Sequence, residues 1–262
     1  MRIYARKRFL AFLSMTGFVL GMSGCASTST SPHEFTKTER AQRLVAVANG
    51  AIAENDPTAA LQYVQQAETL DAKLPELHHA KALALVLKHE NTAAIEAVKK
   101  ALVLKSDYAE ANNTLGRLYL EAGRYREAIP YLQSAASNLI YRESYKADIN
   151  LGILYYRTGQ DALAKKYFDH AILLVPNLAC IAYYYRGHLD LRAEKPRDAV
   201  EQYEKATHRF CARFADAHLA LGMALAKDHQ YARARKKLLD VYKIFPESQI
   251  ARQAMEQLKQ LP

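Results

Sequence analysis

The chain has 262 residues, half of them apolar and 24% charged, with only 10 Gly and 8 Pro. That balance excludes disordered and collagen-like chains, and three cysteines exclude a disulfide-rich miniprotein or a four-cysteine zinc ribbon. The formal net charge is +9, but four of the basic residues (Arg2, Arg6, Lys7 and Arg8) fall in a segment expected to be removed. About +5 then remains, which argues against a dedicated nucleic-acid binder.

Residues 1–24 read as an export signal: a basic start, MRIYARKR, then the apolar run FLAFLSMTGFVLGM, then small residues. The run is too short for a comfortable membrane span, which needs roughly 20 residues. Met22-Ser23-Gly24-Cys25 resembles the bacterial lipobox, with Met22 where Leu is usual. That resemblance implies diacylation of the Cys25 thiol and cleavage just before it. Ala26 follows, rather than the Asp of an inner-membrane retention signal, so the analogy directs the protein to the periplasmic face of the outer membrane. An ordinary signal peptide with a chance cysteine, or a short anchor helix, is the alternative. Residues 25–37, rich in Ser and Thr, read as a flexible tether.

From residue 38 onward the chain is one repeat. Gly152 is matched in phase by Ala48, Ala82, Gly116, Gly187 and Gly222, at spacings of 34, 34, 36, 35 and 35 in chain order. Twelve residues beyond each comes Ala60, Ala94, Ala128, Ala164, Ala199 or Ala234, and seven further on Ala67, Ala101, Ala135, Ala171, Ala206 or Val241. Leu151-Gly152, Tyr155, Gly159, Ala164, Phe168, Ala171 and Pro176 resemble the tetratricopeptide pattern almost without departure. Small residues let paired helices approach; Val64, Val98, Leu132, Phe168, Tyr203 and Leu238, four beyond each first alanine, fill the remaining space. Gly123, Gly159, Asp56-Pro57 and Lys195-Pro196 mark turns between helices, and Pro130 is placed near the start of a second helix. The predicted fold is all-α: a right-handed superhelical solenoid of six such repeats. An amphipathic capping helix from about Ser248 to Leu261 closes it, with Ser248 as N-cap.

Little of this chain suggests catalysis. No metal-binding His/Cys spacing, nucleophile elbow or phosphate-cradling glycine loop is present. The histidines, including His78, His79, His170, His188, His208, His218 and His229, read as scattered on solvent faces, and the carboxylates as spread over helix surfaces. No enzyme activity, cofactor, metal, nucleic acid or small-molecule substrate is expected. Cys180 and Cys211 lie at the same end of adjacent units; in an oxidising compartment they can pair, the alternative being two buried thiols. The basic run Arg233, Arg235, Lys236, Lys237 reads as a solvated helix face, the alternative being contact with anionic lipid headgroups or a partner.

The first helix of each unit lines the concave side, so positions three before and one and four after the small residue point inward. These are His79, Leu83 and Val86; Asn113, Arg117 and Leu120; Ile149, Ile153 and Tyr156; Tyr184, His188 and Leu191; and Leu219, Met223 and Ala226. The partner groove is predicted around Ile149, Ile153, Tyr156, Tyr184, Leu191, Leu219 and Met223, suited to an amphipathic helix or extended segment. The alternative is that neighbouring units or the capping helix cover several of them.

A lipobox, a short Ser/Thr tether and six such repeats resemble the pilotin lipoproteins of type IV pili (PilF, PilW and the Tgl branch). The likeness is sharpest from Leu115 to Pro176, where Leu139-Ile140-Tyr141 sits in a lengthened connection, while Cys180 and Cys211 look more like the Tgl branch. The resemblance implies a non-catalytic protein that helps the pilus secretin reach the outer membrane and multimerise. Lipoproteins that tether peptidoglycan hydrolases, or a subunit of envelope assembly machinery, are the alternative.

Overall fold

Every segment that repeats in the sequence becomes an antiparallel helix pair, because its apolar residues recur at helical spacing and its turn residues fall between them. A computed structural model describes residues 35–262; the export signal, Cys25 and nearly all of the tether lie outside the described residues. In chain order the helices are α1 (Lys37–Ala53), α2 (Pro57–Leu70), α3 (Pro75–Leu87), α4 (Asn91–Leu104), α5 (Ala109–Glu121), α6 (Tyr125–Ala136) and α7 (Ser144–Arg157). They continue as α8 (Asp161–Leu174), α9 (Cys180–Arg192), α10 (Pro196–Lys205), α11 (Ala215–Lys227), α12 (Tyr231–Ile244) and α13 (Gln249–Lys259). A 3-10 turn at Arg209–Cys211 precedes α11, and no strand occurs among the described residues. Six pairs, α1–α2 to α11–α12, make six units, and α13 packs on α12 and α11 as the cap. The fold is an all-α solenoid.

The ends of the stack are set by side chains. Thr36 accepts from the Glu39 amide at 3.2 Å, and the Glu39 carboxylate accepts from the Thr36 amide at 2.7 Å. This capping box starts α1 at Lys37, one residue before the predicted boundary. At the far end the Ser248 hydroxyl accepts from the Ala251 amide at 3.0 Å, the expected N-cap of α13. Pro130 departs from expectation: it lies in the body of α6, on its exposed side, where water can reach the carbonyl that a proline leaves without a donor.

Within each unit, helix spacing follows from paired sizes. A Cβ built on Gly152 would lie 2.4 Å from the Phe168 ring; on Gly116, 2.5 Å from Leu132; on Gly187, 2.6 Å from Tyr203; on Gly222, 2.6 Å from Leu238. The first two units carry alanine at this position, Ala48 and Ala82, and face it with the smaller Val64 and Val98, all buried. The turn between paired helices is equally regular. Its left-handed residue is Asn55, His89, Gly123, Gly159, Glu194 or His229, each seven beyond the small residue. Only two of six are glycine; Asn55, His89 and His229 are of types that tolerate this conformation, and the helix pairing holds Glu194 in it as well.

Histidines and a carboxylate read as surface groups are inside, and an asparagine is buried with them. His78, His79 and His218 are buried, as are Asn112 and Asp148. Four of these five, His78, Asn112, Asp148 and His218, occupy the position four before the small residue. The rings of His78 and His218 meet the carbonyls of Ala72 and Ala212 at 2.8 and 2.9 Å, and the Asn112 amide donates to the Ser106 carbonyl at 3.0 Å. Each ties a helix to the connection before it. Asp148 instead bonds the His170 ring at 2.8 Å; burial pushes its carboxyl above the usual range, and His170 opposes that shift.

Candidate protein-binding groove

First helices of successive units touch one another, α1 with α3, α5 with α7 and α7 with α9, more closely than second helices do. The stack is therefore tighter on the first-helix side, which forms a groove. A 530 Å³ cavity opens there across units two to five, lined by residues of α3, α5, α7 and α9 and by the connections between units. Among the predicted inward residues, His79, Leu83, Asn113, Arg117 and Ile149 meet in it. Leu178, Ile181, Tyr141 and Tyr145, which the inward-position rule did not select, complete its apolar wall. Leu178 and Ile181 are exposed at its mouth.

The floor is more polar than the sequence suggested. Asn150 donates to the Asn113 side-chain oxygen at 2.9 Å, and Arg117 pairs with Glu121 at 2.6 Å. Each Asn has a further amide donor or carbonyl acceptor beyond this bond, groups that suit the backbone of an extended segment. His79 closes one end, with Nε2 2.9 Å from the Thr114 hydroxyl and Nδ1 3.3 Å from the Tyr108 hydroxyl. Burial holds its pKa down at about 4. The unfolded chain takes up that proton near the ordinary value of 6.5, so between the two the unfolded state binds more protons. The stability contributed by neutral His79 is complete above the ordinary value and is lost as the pH falls toward 4. Lowering the pH from 7.5 to 5 is expected to remove about 2 kcal/mol through this group. Urea unfolding at both pH values, in wild type and His79→Gln, checks this; an equally steep loss in the variant assigns it to other residues.

Toward units four and five the groove wall becomes aromatic. Tyr156 and Tyr185 meet edge to face at 5.1 Å, Tyr184 and His188 at 4.4 Å, and the Arg192 guanidinium lies 4.2 Å over the Tyr156 ring. His188 bonds the Tyr203 hydroxyl at 3.0 Å, and burial, then Arg192, keeps its pKa below the ordinary histidine value. Of the residues predicted for the groove, Ile149 is buried at the cavity wall, while Ile153 and Tyr156 are half-buried against the central core. Tyr184 and Leu191 pack on the core of units five and six. Leu219 packs into the cluster of Leu238, Val241 and Ala254, beneath the cap. Met223 is exposed.

Cys180, the first residue of α9, and Cys211, in the 3-10 turn, form a disulfide with Cα atoms 5.5 Å apart. On the second-helix side, Arg233 pairs with Glu204 at 2.6 Å, and Arg235 donates to the Pro262 carbonyl at 2.8 Å. Lys237 is half-buried, and burial lowers its pKa. The basic run is thus partly engaged within the fold. Among the described residues, no group of three or more His, Cys, Asp or Glu could hold a metal ion, and no helix is long and apolar enough to cross a membrane.

A tetratricopeptide-repeat family model matches residues 113–177 and 184–249. The type IV pilus assembly protein PilF of Pseudomonas aeruginosa is 30% identical over 134 residues, 47% of this chain and 53% of that protein. The match therefore spans about half the length of that relative. Among solved structures, PilW, a type IV pilus biogenesis factor, superposes with a TM-score of 0.74 at 22% identity, over 82% of this chain and 98% of that one. Pseudomonas aeruginosa PilF superposes with a TM-score of 0.73 at 20% identity, over 84% and 99%. YrrB, a TPR protein with an unusual peptide-binding site, gives 0.51 at 22% identity, over 74% and 97%.

Proposed function

Because the chain belongs to the tetratricopeptide-repeat family, we propose that it works by docking another protein, without catalysis, in type IV pilus biogenesis. In this reading it is a pilotin: a lipoprotein anchored through Cys25 at the periplasmic face of the outer membrane. It holds an amphipathic segment of the pilus secretin in the groove until the ring assembles. The observation that carries the reading is the 30% identity to PilF, a type IV pilus assembly protein. The groove supports it physically, since Ile149, Leu178 and Ile181 offer an apolar wall beside the polar floor of Asn113 and Asn150. An amphipathic segment needs both.

In a deletion strain, heat- and detergent-resistant secretin multimers are expected to disappear while secretin monomer persists. The wild-type gene is expected to restore them. Leu178→Glu, Ile181→Glu and Met223→Glu change exposed side chains and leave the core intact. The first two are expected to cut multimers at least about tenfold at unchanged protein level, since each removes apolar area from a docked helix; Met223→Glu tests whether docking extends to unit six. Full multimers in the deletion strain would remove the pilotin role; altered septation there would point to wall hydrolases as the partners.

A further inference from the structure

Among the described residues, the most exposed apolar side chains share one kind of position. The five most exposed large ones among the described residues are Val103 (86%), Leu139 (101%), Ile140 (89%), Leu173 (77%) and Phe210 (72%). All five lie where a second helix ends and the next unit begins, in units two, three, four and five in turn. These connections form one edge. The Asn138 amide reaches the Asp107 carbonyl at 3.5 Å, linking the α6–α7 connection to the α4–α5 connection. Tyr141, Leu178 and Ile181 share one cavity wall, and the disulfide joins the start of α9 to the turn before α11. The tips are held in place: the Asn138 side chain accepts from the amides of Ile140 and Tyr141 at 3.1 and 3.2 Å, and Cys211 fixes the residue next to Phe210.

Two observations say what covers this edge. The first is where the chain enters. Thr38, in the first turn of α1, donates to Asp71 at the end of α2 at 2.8 Å, so α1 begins at the same edge as the tips. Only residues 26–35 separate Cys25 from Thr36, a stretch that spans at most about 36 Å when extended. The second is charge. Exposed Lys105, Arg142, Arg209 and Arg213 flank the tips at Val103, Ile140 and Phe210; Asp107, Glu110 and Asp216 are exposed near them, and Glu143 is taken by Lys146 at 2.6 Å.

We infer that this edge lies on the lipid bilayer, with Val103, Leu139, Ile140, Leu173 and Phe210 dipping into it and the flanking cations meeting anionic headgroups. The inference rests on the proposed Cys25 anchor, which would hold the edge within reach of the lipid. Apolar tips with cations beside them are a usual composition of interfacial contacts, which sit about 5–10 Å into the headgroup boundary.

The sequence contains no tryptophan, so a single one introduced is a clean reporter. Full-length protein purified from membranes would carry Leu139→Trp or Phe210→Trp, or Tyr231→Trp at the opposite edge as control. It would be placed in vesicles of phosphatidylethanolamine and phosphatidylglycerol. The two edge tryptophans are expected to shift to the blue and to be quenched about twofold by lipids brominated near the glycerol end, as that depth requires. The control is expected to stay unchanged. The mass of the N-terminal peptide reads acylation separately. Unresponsive edge tryptophans on an acylated chain overturn the inference and leave the anchor standing. Responsive ones on an unacylated chain keep the lipid contact and remove the anchor; unresponsive ones there remove both. A response that comes only when solubilised secretin is added also overturns it, making the edge a protein interface.

Discussion

Gly152→Ala is expected to destabilise the fold by about 2–3 kcal/mol, even though alanine favours a helix over glycine by about 1 kcal/mol. The new methyl would meet three atoms of the Phe168 ring at 2.4–2.8 Å. That ring has nowhere to go, being fully buried and stacked on Tyr185 at 5.4 Å. Phe168→Val alone is expected to cost about 3 kcal/mol through the cavity it leaves. The double variant recreates the Ala–Val pairing native to the first two units, Ala48 with Val64 and Ala82 with Val98. It is therefore expected to fall short of the summed losses by about 1–3 kcal/mol. Urea unfolding followed by circular dichroism measures all three; simple additivity would refute size matching as the origin of the helix spacing.

Removing the disulfide is expected to cost about 3–4 kcal/mol, the loop-closure entropy of cross-linking positions 31 apart. Cys180→Ala/Cys211→Ala is the variant to compare with wild type. Because each unit mainly touches its neighbours, the loss should be local. Hydrogen exchange is expected to quicken in α9, α10 and α11 while α3 to α6 keep their protection. Equal quickening throughout would mean that the solenoid unfolds as one block and that the nearest-neighbour picture is wrong.

The repeat was legible because its signal is size in phase: the small residue at Gly152 and the large one at Phe168 return at every unit, and no other arrangement satisfies both. The polar interior was not. A histidine on a helix looks like surface until the preceding connection is seen to present its carbonyl, as Ala72 does to His78. Leu219 reads as a groove residue by phase alone; only the fold-back of α13 and its neighbours explains its packing with Val241 and Ala254. Leu178 and Ile181 were missed for the opposite reason, since they belong to a connection whose path the phase does not fix. The exposed edge was out of reach too, because Val103 and Leu173 are ordinary helix residues by composition and only their lack of a covering neighbour sets them apart.

The Cys180–Cys211 bond also decides how this chain would carry a pull. Each unit packs chiefly on its neighbours in sequence, so tension on the two ends would peel the stack helix by helix, like a spring paying out wire. Peeling from the C-terminus frees α13, α12 and α11 and then reaches Cys211. There the load crosses through sulfur to Cys180, and the segment between, a sequence separation of 31 and about 110 Å of contour, contributes no slack. Force on the last unit is handed directly to α9, a helix that lines the groove, with α10 left out of the path.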